Sequence, residues 1–299
     1  VNTFIERVAS APISWGICEV PRWGEMLPID RVLEEMSGLG IQALELGAPG
    51  FFPQEASAVR QYAQSTNMSL LGGFTPLVLH DSSATEATIE QARQIASHLK
   101  AIGATKMISA AVTDWDWGLP HFLSASETKQ MVKMLDIVDD ICGEFEIEQV
   151  LHPHAYTMLE VKSDIDRISE SSGCRWCLDT GHLAIGGCDP VEFVEANFDR
   201  IAHVHLKDVN MDFVPQLLSR EMGIMDSVHE GLFTVLGQGD VDIAGVISAL
   251  ETRGYQGWYV IEQDTAITSG IPAQGEGPVK DVKASLDFLK TLVGKGNVL

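Results

Sequence analysis

Eight short runs rich in apolar and β-branched residues alternate with eight amphipathic helical stretches along this chain. That alternation restricts the fold to parallel strands joined by crossover helices. The patterning predicts strands at Ala11–Trp15, Ala43–Leu46, Ser69–Phe74, Lys106–Ala110, Gln149–His152, Arg175–Leu178, Ala202–Leu206 and Trp258–Ile261. It predicts helices at Ile29–Leu39, after Pro53, and at Thr85–Ile102, Ser126–Glu144, Val161–Ser171, Pro190–Ala196, Ile243–Thr252 and Val279–Val293. Eight strands each followed by a helix are the count of a closed (β/α)8 TIM barrel, an α/β fold that 299 residues accommodate as a single domain over 1–299. A doubly wound sheet is the runner-up. It would carry a Gly-rich phosphate turn after an early strand, and the turn here reads SWGICEVPRWG, without G-x-G-x-x-G. A long insertion, Asp208 to Asp240, follows strand seven; it is too long for a passive connector and reads as a lid or a subunit contact.

In a barrel of this kind the chemistry sits at the C-terminal ends of the strands. Four successive strands end in metal-ligand residues: VLHPH gives His152 and His154, CLDTGH gives Asp179 and His182, HVHLKD gives His203 and His205, and YVIEQD gives Glu262. Residues two apart on a strand share a face, so Asp179, His205 and Glu262 converge if those faces point inward, and His152 joins them. A lone histidine on a strand is more often a packed residue than a ligand, but four consecutive strand ends make one metal site the better reading. Mixed nitrogen and oxygen donors suit Mn²⁺ or Co²⁺ first, with Zn²⁺, Fe²⁺ or Mg²⁺ as alternatives. His203, deeper on its strand, is expected to be structural, and His154 and His182 to touch substrate.

Trp15, Trp23, Trp115 and Trp117 fall in loops after strands, where aromatic faces suit sugar and cyclitol C–H groups; Trp15 and Trp115 are the substrate-contact candidates, the alternative being a hydrophobic lid. Glu45 in ELG is placed either on a substrate hydroxyl or in a structural ion pair. Lys207 shares the parity of His205 and is placed to stabilise an enolate oxygen. Gly237 and Gly239 in LGQGD shape a turn, and the segment 267–278 is expected to cover the mouth.

Composition narrows the partners. Twenty Lys and Arg face 42 Asp and Glu, a net charge of −22, which repels nucleic acid and anionic membranes and leaves a small hydroxylated molecule as substrate. No apolar run approaches the ~20 residues that span a bilayer. The absence of a signal-like start and the odd number of cysteines (Cys18, Cys142, Cys174, Cys177 and Cys188) lead us to expect reduced thiols in the cytoplasm. Cys174 and Cys177 form a C-x-x-C, but on a strand they face opposite ways.

The pieces LDTGH at 178–182, HVHLKD at 203–208, LGQGDVD at 236–242 and GYQGWYVIEQD at 254–264 resemble the xylose isomerase-like TIM barrels, over nearly the whole chain. That family holds sugar epimerases, ketose isomerases, inosose dehydratases and type IV AP endonucleases. APISWG, EMSGLGIQALELG and the paired histidines of HPH resemble the inosose dehydratase branch, which implies a metal-dependent lyase of inositol catabolism. The resemblance implies that Asp179, His205 and Glu262 are ligands, with Glu262 and His182 in catalysis, and that dimers or tetramers are the common assembly. Most family epimerases carry a glutamate at the end of strand five, where this chain has His152; that favours elimination over two-base epimerisation. A sugar isomerase or epimerase remains the alternative. A DNA-cleaving phosphodiesterase is opposed by charge and by too few histidines, and a non-catalytic cyclitol binder stays open.

Overall fold

The computed structural model describes residues 3–293, and its main feature is a ring of parallel strands. In chain order these are β1 (Val8–Ser10), β2 (Ala43–Leu44), β3 (Ser69–Leu70), β4 (Gly72–Leu77), β5 (Lys106–Ala111), β6 (Glu148–Leu151), β7 (Trp176–Asp179), β8 (Ile201–Leu206) and, after a two-stranded hairpin, β11 (Tyr259–Ile261). The sheet order is β3-β2-β1-β11-β8-β7-β6-β5-β4. β3 and β4 are two halves of one strand interrupted at Leu71: the first pairs with β2, the second with β5. The two ends of the sheet are therefore one stretch of chain, and eight strand positions make a nearly closed TIM barrel, as the alternation predicts.

The helices form the outer layer: α1 (Ile29–Gly38), α2 (Ala56–Ser65), α3 (Thr85–Ile102), α4 (Ala125–Glu144), α5 (Lys162–Ser171), α6 (Thr180–Ile185), α7 (Pro190–Asn197), α10 (Ile243–Thr252) and α11 (Pro278–Val293). α4 shows why their starts are legible in sequence. Ser124 accepts from the Glu127 N–H while the Glu127 carboxylate accepts from the Ser124 N–H, a reciprocal cap that contributes on the order of 1 kcal/mol. The main core lies between barrel and helices. Inside the ring, small clusters such as Ile108, Val150, Cys177 and Ala202 fill the lower barrel.

Strand one differs from the sequence reading. The strand is Val8–Ser10, and Pro12–Trp15 instead form a 3-10 turn ended by Gly16 at φ 79°. Pro12 has no N–H to donate to a ladder, and at N1 of the 3-10 turn none is needed. The insertion holds β9 (Asp208–Val209), α8 (Val214–Leu218), α9 (Ile224–His229) and β10 (Phe233–Thr234), with β9 and β10 antiparallel. Its apolar side chains pack on Trp23 and Ala155 from loops after strands and on Ile185 at the end of α6, so it lies over the mouth. The segment 267–278 begins against the loop after β1, where the Glu25 N–H donates to Ile267 O at 2.9 Å, and then leaves the mouth for the outer layer. Its backbone is pinned against α1, where Arg31 donates to the carbonyls of Ala273 (2.8 Å) and Glu276 (3.2 Å). Among the described residues no helix is long and apolar enough to cross a membrane.

Candidate metal centre and active site

The ends of β6, β7, β8 and β11 bring His152, Asp179, His205 and Glu262 to one buried place. Register explains it: Asp179 lies beside His205 and Val260 beside His205, so the inward faces of the last three strands align. Asp179 has two tasks. Its Oδ1 caps α6 by accepting from the His182 N–H at 2.8 Å, which leaves Oδ2 directed to the site. Oδ2 is 3.3 Å from His152 Nε2 and 3.6 Å from His205 Nδ1.

His205 is oriented from below. Its Nε2–H donates to Glu45 Oε1 at 2.8 Å, and the same oxygen accepts from His203 Nε2 at 2.7 Å. With a cation bound, an imidazole whose proton is on Nε2 presents a bare lone pair at Nδ1; without one, Cys177, Glu262 and Glu45 outweigh burial and raise His205 well above its usual value. That Nδ1 is buried without a hydrogen-bond partner, and so are His152 Nδ1 and Glu262 Oε2. His205 Nδ1 and Glu262 Oε2 face each other in close contact. Buried polar atoms are ordinarily satisfied, so lone pairs left pointing at one another fit the ligands of one cation. Donor atoms of Asp179, His205 and Glu262 lie within 4.8 Å of one another; His152 groups at the same spacing with Asp179 and His182. The donor set suits a divalent cation, with Glu45 as the carboxylate behind the histidine.

Lys207 reaches the same mouth although its side chain has no solvent exposure. Its ammonium donates to Asp264 Oδ1 at 2.7 Å and lies 3.3 Å from both Glu262 Oε1 and His182 Nε2. Burial opposes its charge, but Asp264, Glu262 and Asp179 outweigh that and hold the ammonium protonated well above its ordinary range. Conversely, burial would raise Glu262, and His205 and Lys207 hold it down to about 2. The Asp179 carboxyl is likewise held well below its usual value, by Lys207 against burial. The His154 and His182 rings lie 3.8 Å apart between centres. Burial, then neighbouring positive groups, push His154 down to about 3 and His182 well below its usual value, so both rings are neutral. His154 Nδ1 donates to Ala155 O at 2.6 Å, leaving Nε2 as an acceptor.

Two sequence expectations are corrected. Trp15 is fully buried with its indole N–H on Glu35 at 3.0 Å, part of the core and not of a substrate surface. Glu45 lies beneath the ligands, its oxygen occupied by two histidines, and so serves as the ion-pairing residue rather than as a substrate contact. Trp115 stands exposed at the rim, while Trp117 stacks on Phe74 (6.2 Å) and meets His154 (6.3 Å). Sequence reading missed Asp264 and Phe233. Asp264 shares the parity of Glu262, which was a usable signal. Phe233 comes from the insertion and lies against His182 (5.8 Å) and the Lys207 ammonium (4.7 Å), which no strand pattern announces. Cys174 and Cys177 are free thiols, both pushed up to about 11 by burial, and Cys177 faces the barrel interior.

The family model described as xylose isomerase-like TIM barrel matches residues 33–292. An inosose dehydratase of Geobacillus kaustophilus is 32% identical over 281 residues, covering 89% of this chain and 90% of its own. The rhizopine catabolism protein MocC of Rhizobium meliloti is 29% identical, over 86% of this chain and 81% of its own. Among solved structures, the IolI protein with a bound zinc atom superposes with a TM-score of 0.71 at 15% identity, over 97% of this chain and 98% of its own. An L-ribulose 3-epimerase does so with 0.70 at 15% identity, over 96% and 94%.

Proposed function

The chain belongs to the xylose isomerase-like TIM barrel family and is an enzyme, and from that premise we propose that it is a divalent-metal-dependent lyase removing water from a keto-cyclitol of the inosose type. One observation carries the reading: the unbroken chain of contacts Glu262–Lys207–His182 beside the metal ligands, each step 3.3 Å. Asp179, His205, Glu262 and His152 would hold the cation, with Mn²⁺ or Co²⁺ best matched to carboxylate and imidazole together. Bound there, it polarises a carbonyl and acidifies the neighbouring C–H.

The remaining work falls to side chains. Glu262, ionised, takes the proton next to the carbonyl. Lys207 is the cationic donor that neutralises the oxygen gaining charge. His182, whose Nδ1 accepts from the Ala155 N–H at 3.3 Å, carries its proton on Nε2 and donates it to the departing hydroxyl, so that the C–O bond breaks and water leaves, and Lys207 restores the Nε2 proton across their 3.3 Å contact. The proton held by Glu262 returns to Lys207 across their 3.3 Å contact and closes the cycle. Trp117 and Phe74 supply apolar faces beside His154 for the C–H side of the ring.

The reading is tested by incubating manganese- or cobalt-loaded protein with 2-keto-myo-inositol in heavy water and recording proton NMR after the protein is filtered off. A dehydrated diketone is expected. Deuterium entering the ring with every oxygen retained would replace the lyase by the isomerase or epimerase reading, and unchanged substrate would reject this substrate.

A further inference from the structure

A second group of metal donors stands apart from the barrel mouth. His80 follows β4, His121 lies in the loop between β5 and α4, and Glu127 is in the first turn of α4. One donor atom from each lies within 4.8 Å of the other two. We propose that these three residues form a second cation site of zinc type, which fastens the 112–124 loop to the end of β4.

Four observations converge. His80 is 5% exposed, its Nδ1 is buried without a partner, and its ring meets that of His121 at 5.4 Å between centres. A buried, unpartnered imidazole nitrogen is rare without a purpose. Glu127 is held in place by its helix cap: Oε2 accepts from the Ser124 N–H at 2.8 Å and Oγ–H at 2.6 Å, which leaves Oε1 for His121 Nε2 at 2.9 Å. That separation is close to the ~3.3 Å edge of a tetrahedron with ligand distances of about 2.0 Å. His121 and Glu127 are the more exposed pair and have room to close on the anchored His80. Two imidazoles and one carboxylate leave a fourth position for water, the composition of a zinc site with an open place.

The position gives the site a consequence. The same loop carries Trp117, which stacks on Phe74 and meets His154. A cation at His80, His121 and Glu127 would fix the loop that places these aromatic faces, at a distance from the ligands of the mouth. The inference stands whether or not the substrate proposed above is right.

The test loads the full chain with zinc, desalts it and counts bound metal by mass spectrometry in the unaltered protein, His121→Ala and Asp179→Asn. His121 is half exposed, so its replacement leaves the core intact. His121→Ala should lose one zinc per chain, and Asp179→Asn should retain the ion that depends on His121. Zinc titration should change tryptophan emission in the unaltered chain and in Asp179→Asn but not in His121→Ala. An equal zinc count in the unaltered chain and His121→Ala, or an undiminished emission response in His121→Ala, would overturn the site.

Discussion

Two buried carboxylate sites adjoin each other at the end of β8, and they are built on opposite terms. Asp208 has every need met. Its Oδ2 accepts from the backbone N–H groups of Gly237 (2.8 Å) and Gly239 (3.0 Å), and its Oδ1 from those of Val241 and Val209 (3.0 Å each). The LGQGD turn is wrapped around this carboxylate, and at Gly239 a Cβ would collide with it. At the mouth, Glu262 Oε2, His205 Nδ1 and His152 Nδ1 are as deeply enclosed and have no partner. A buried charge satisfied by fixed backbone donors holds a loop in one shape; one left with free lone pairs is stable only with a further group or a reacting proton. The first should therefore matter to folding, the second to chemistry, and substitution can break that division.

The largest effect is expected at the mouth. Glu262→Gln keeps the shape and removes the base. Turnover of the keto-cyclitol should fall by about 10²- to 10⁴-fold, the range of a lost general base. The thermal midpoint of the metal-free protein should fall, but by less than in Asp208→Ala, because the charge removed is one that His205 and Lys207 stabilise in the folded state. Metal content is measured alongside, and full turnover in a metal-loaded variant would remove Glu262 from the proton path. Asp208→Ala should do the reverse. It strands four backbone donors, and equilibrium denaturation should show a loss of about 2–4 kcal/mol. The folded fraction should still bind manganese. An unchanged unfolding midpoint would mean that water serves the LGQGD turn as well as the carboxylate does, and the contrast would fail.

The same division separates what the sequence discloses from what it hides. The barrel was legible because each βα unit repeats local signals: apolar runs at strand spacing, Ser124 with Glu127 at a helix start, and turn glycines. Strand one was displaced because a proline and an apolar run give opposite instructions, and Pro12 prevails. At the site, Asp179, His205 and Glu262 were legible because period two on parallel strands converts position into direction. Asp264 obeyed the same rule and was passed over. Glu45 was placed in the right part of the barrel, but sequence alone left its partner open: its two histidines lie some 160 positions away, on the far side of the ring's closure. Trp15 and Trp117 illustrate the same limit for aromatic residues. Both follow strands, yet one is sealed into the core by Glu35 and the other faces the mouth, a difference set by packing of distant segments.

Glu45 offers the finest test of the contrast, because it is a satisfied carboxylate serving the unsatisfied site. By accepting from both His203 and His205 it fixes the tautomer that bares His205 Nδ1. Burial alone would raise this carboxyl, and the two histidines hold it ionised and far below its usual value. Glu45→Gln has the same shape but can turn an NH₂ toward Nε2, which favours the tautomer with its proton on Nδ1. Manganese affinity should then fall by about 10- to 100-fold, the usual cost of losing a carboxylate behind a ligating histidine. Saturating metal should restore most of the turnover, since no reacting atom has been removed. Calorimetric titration together with turnover against metal concentration would show this as a rise in the metal requirement at nearly constant maximal rate. A variant with unaltered metal affinity would mean that the tautomer is set by the cation itself, and Glu45 would then belong with Asp208 among the carboxylates that only hold the fold.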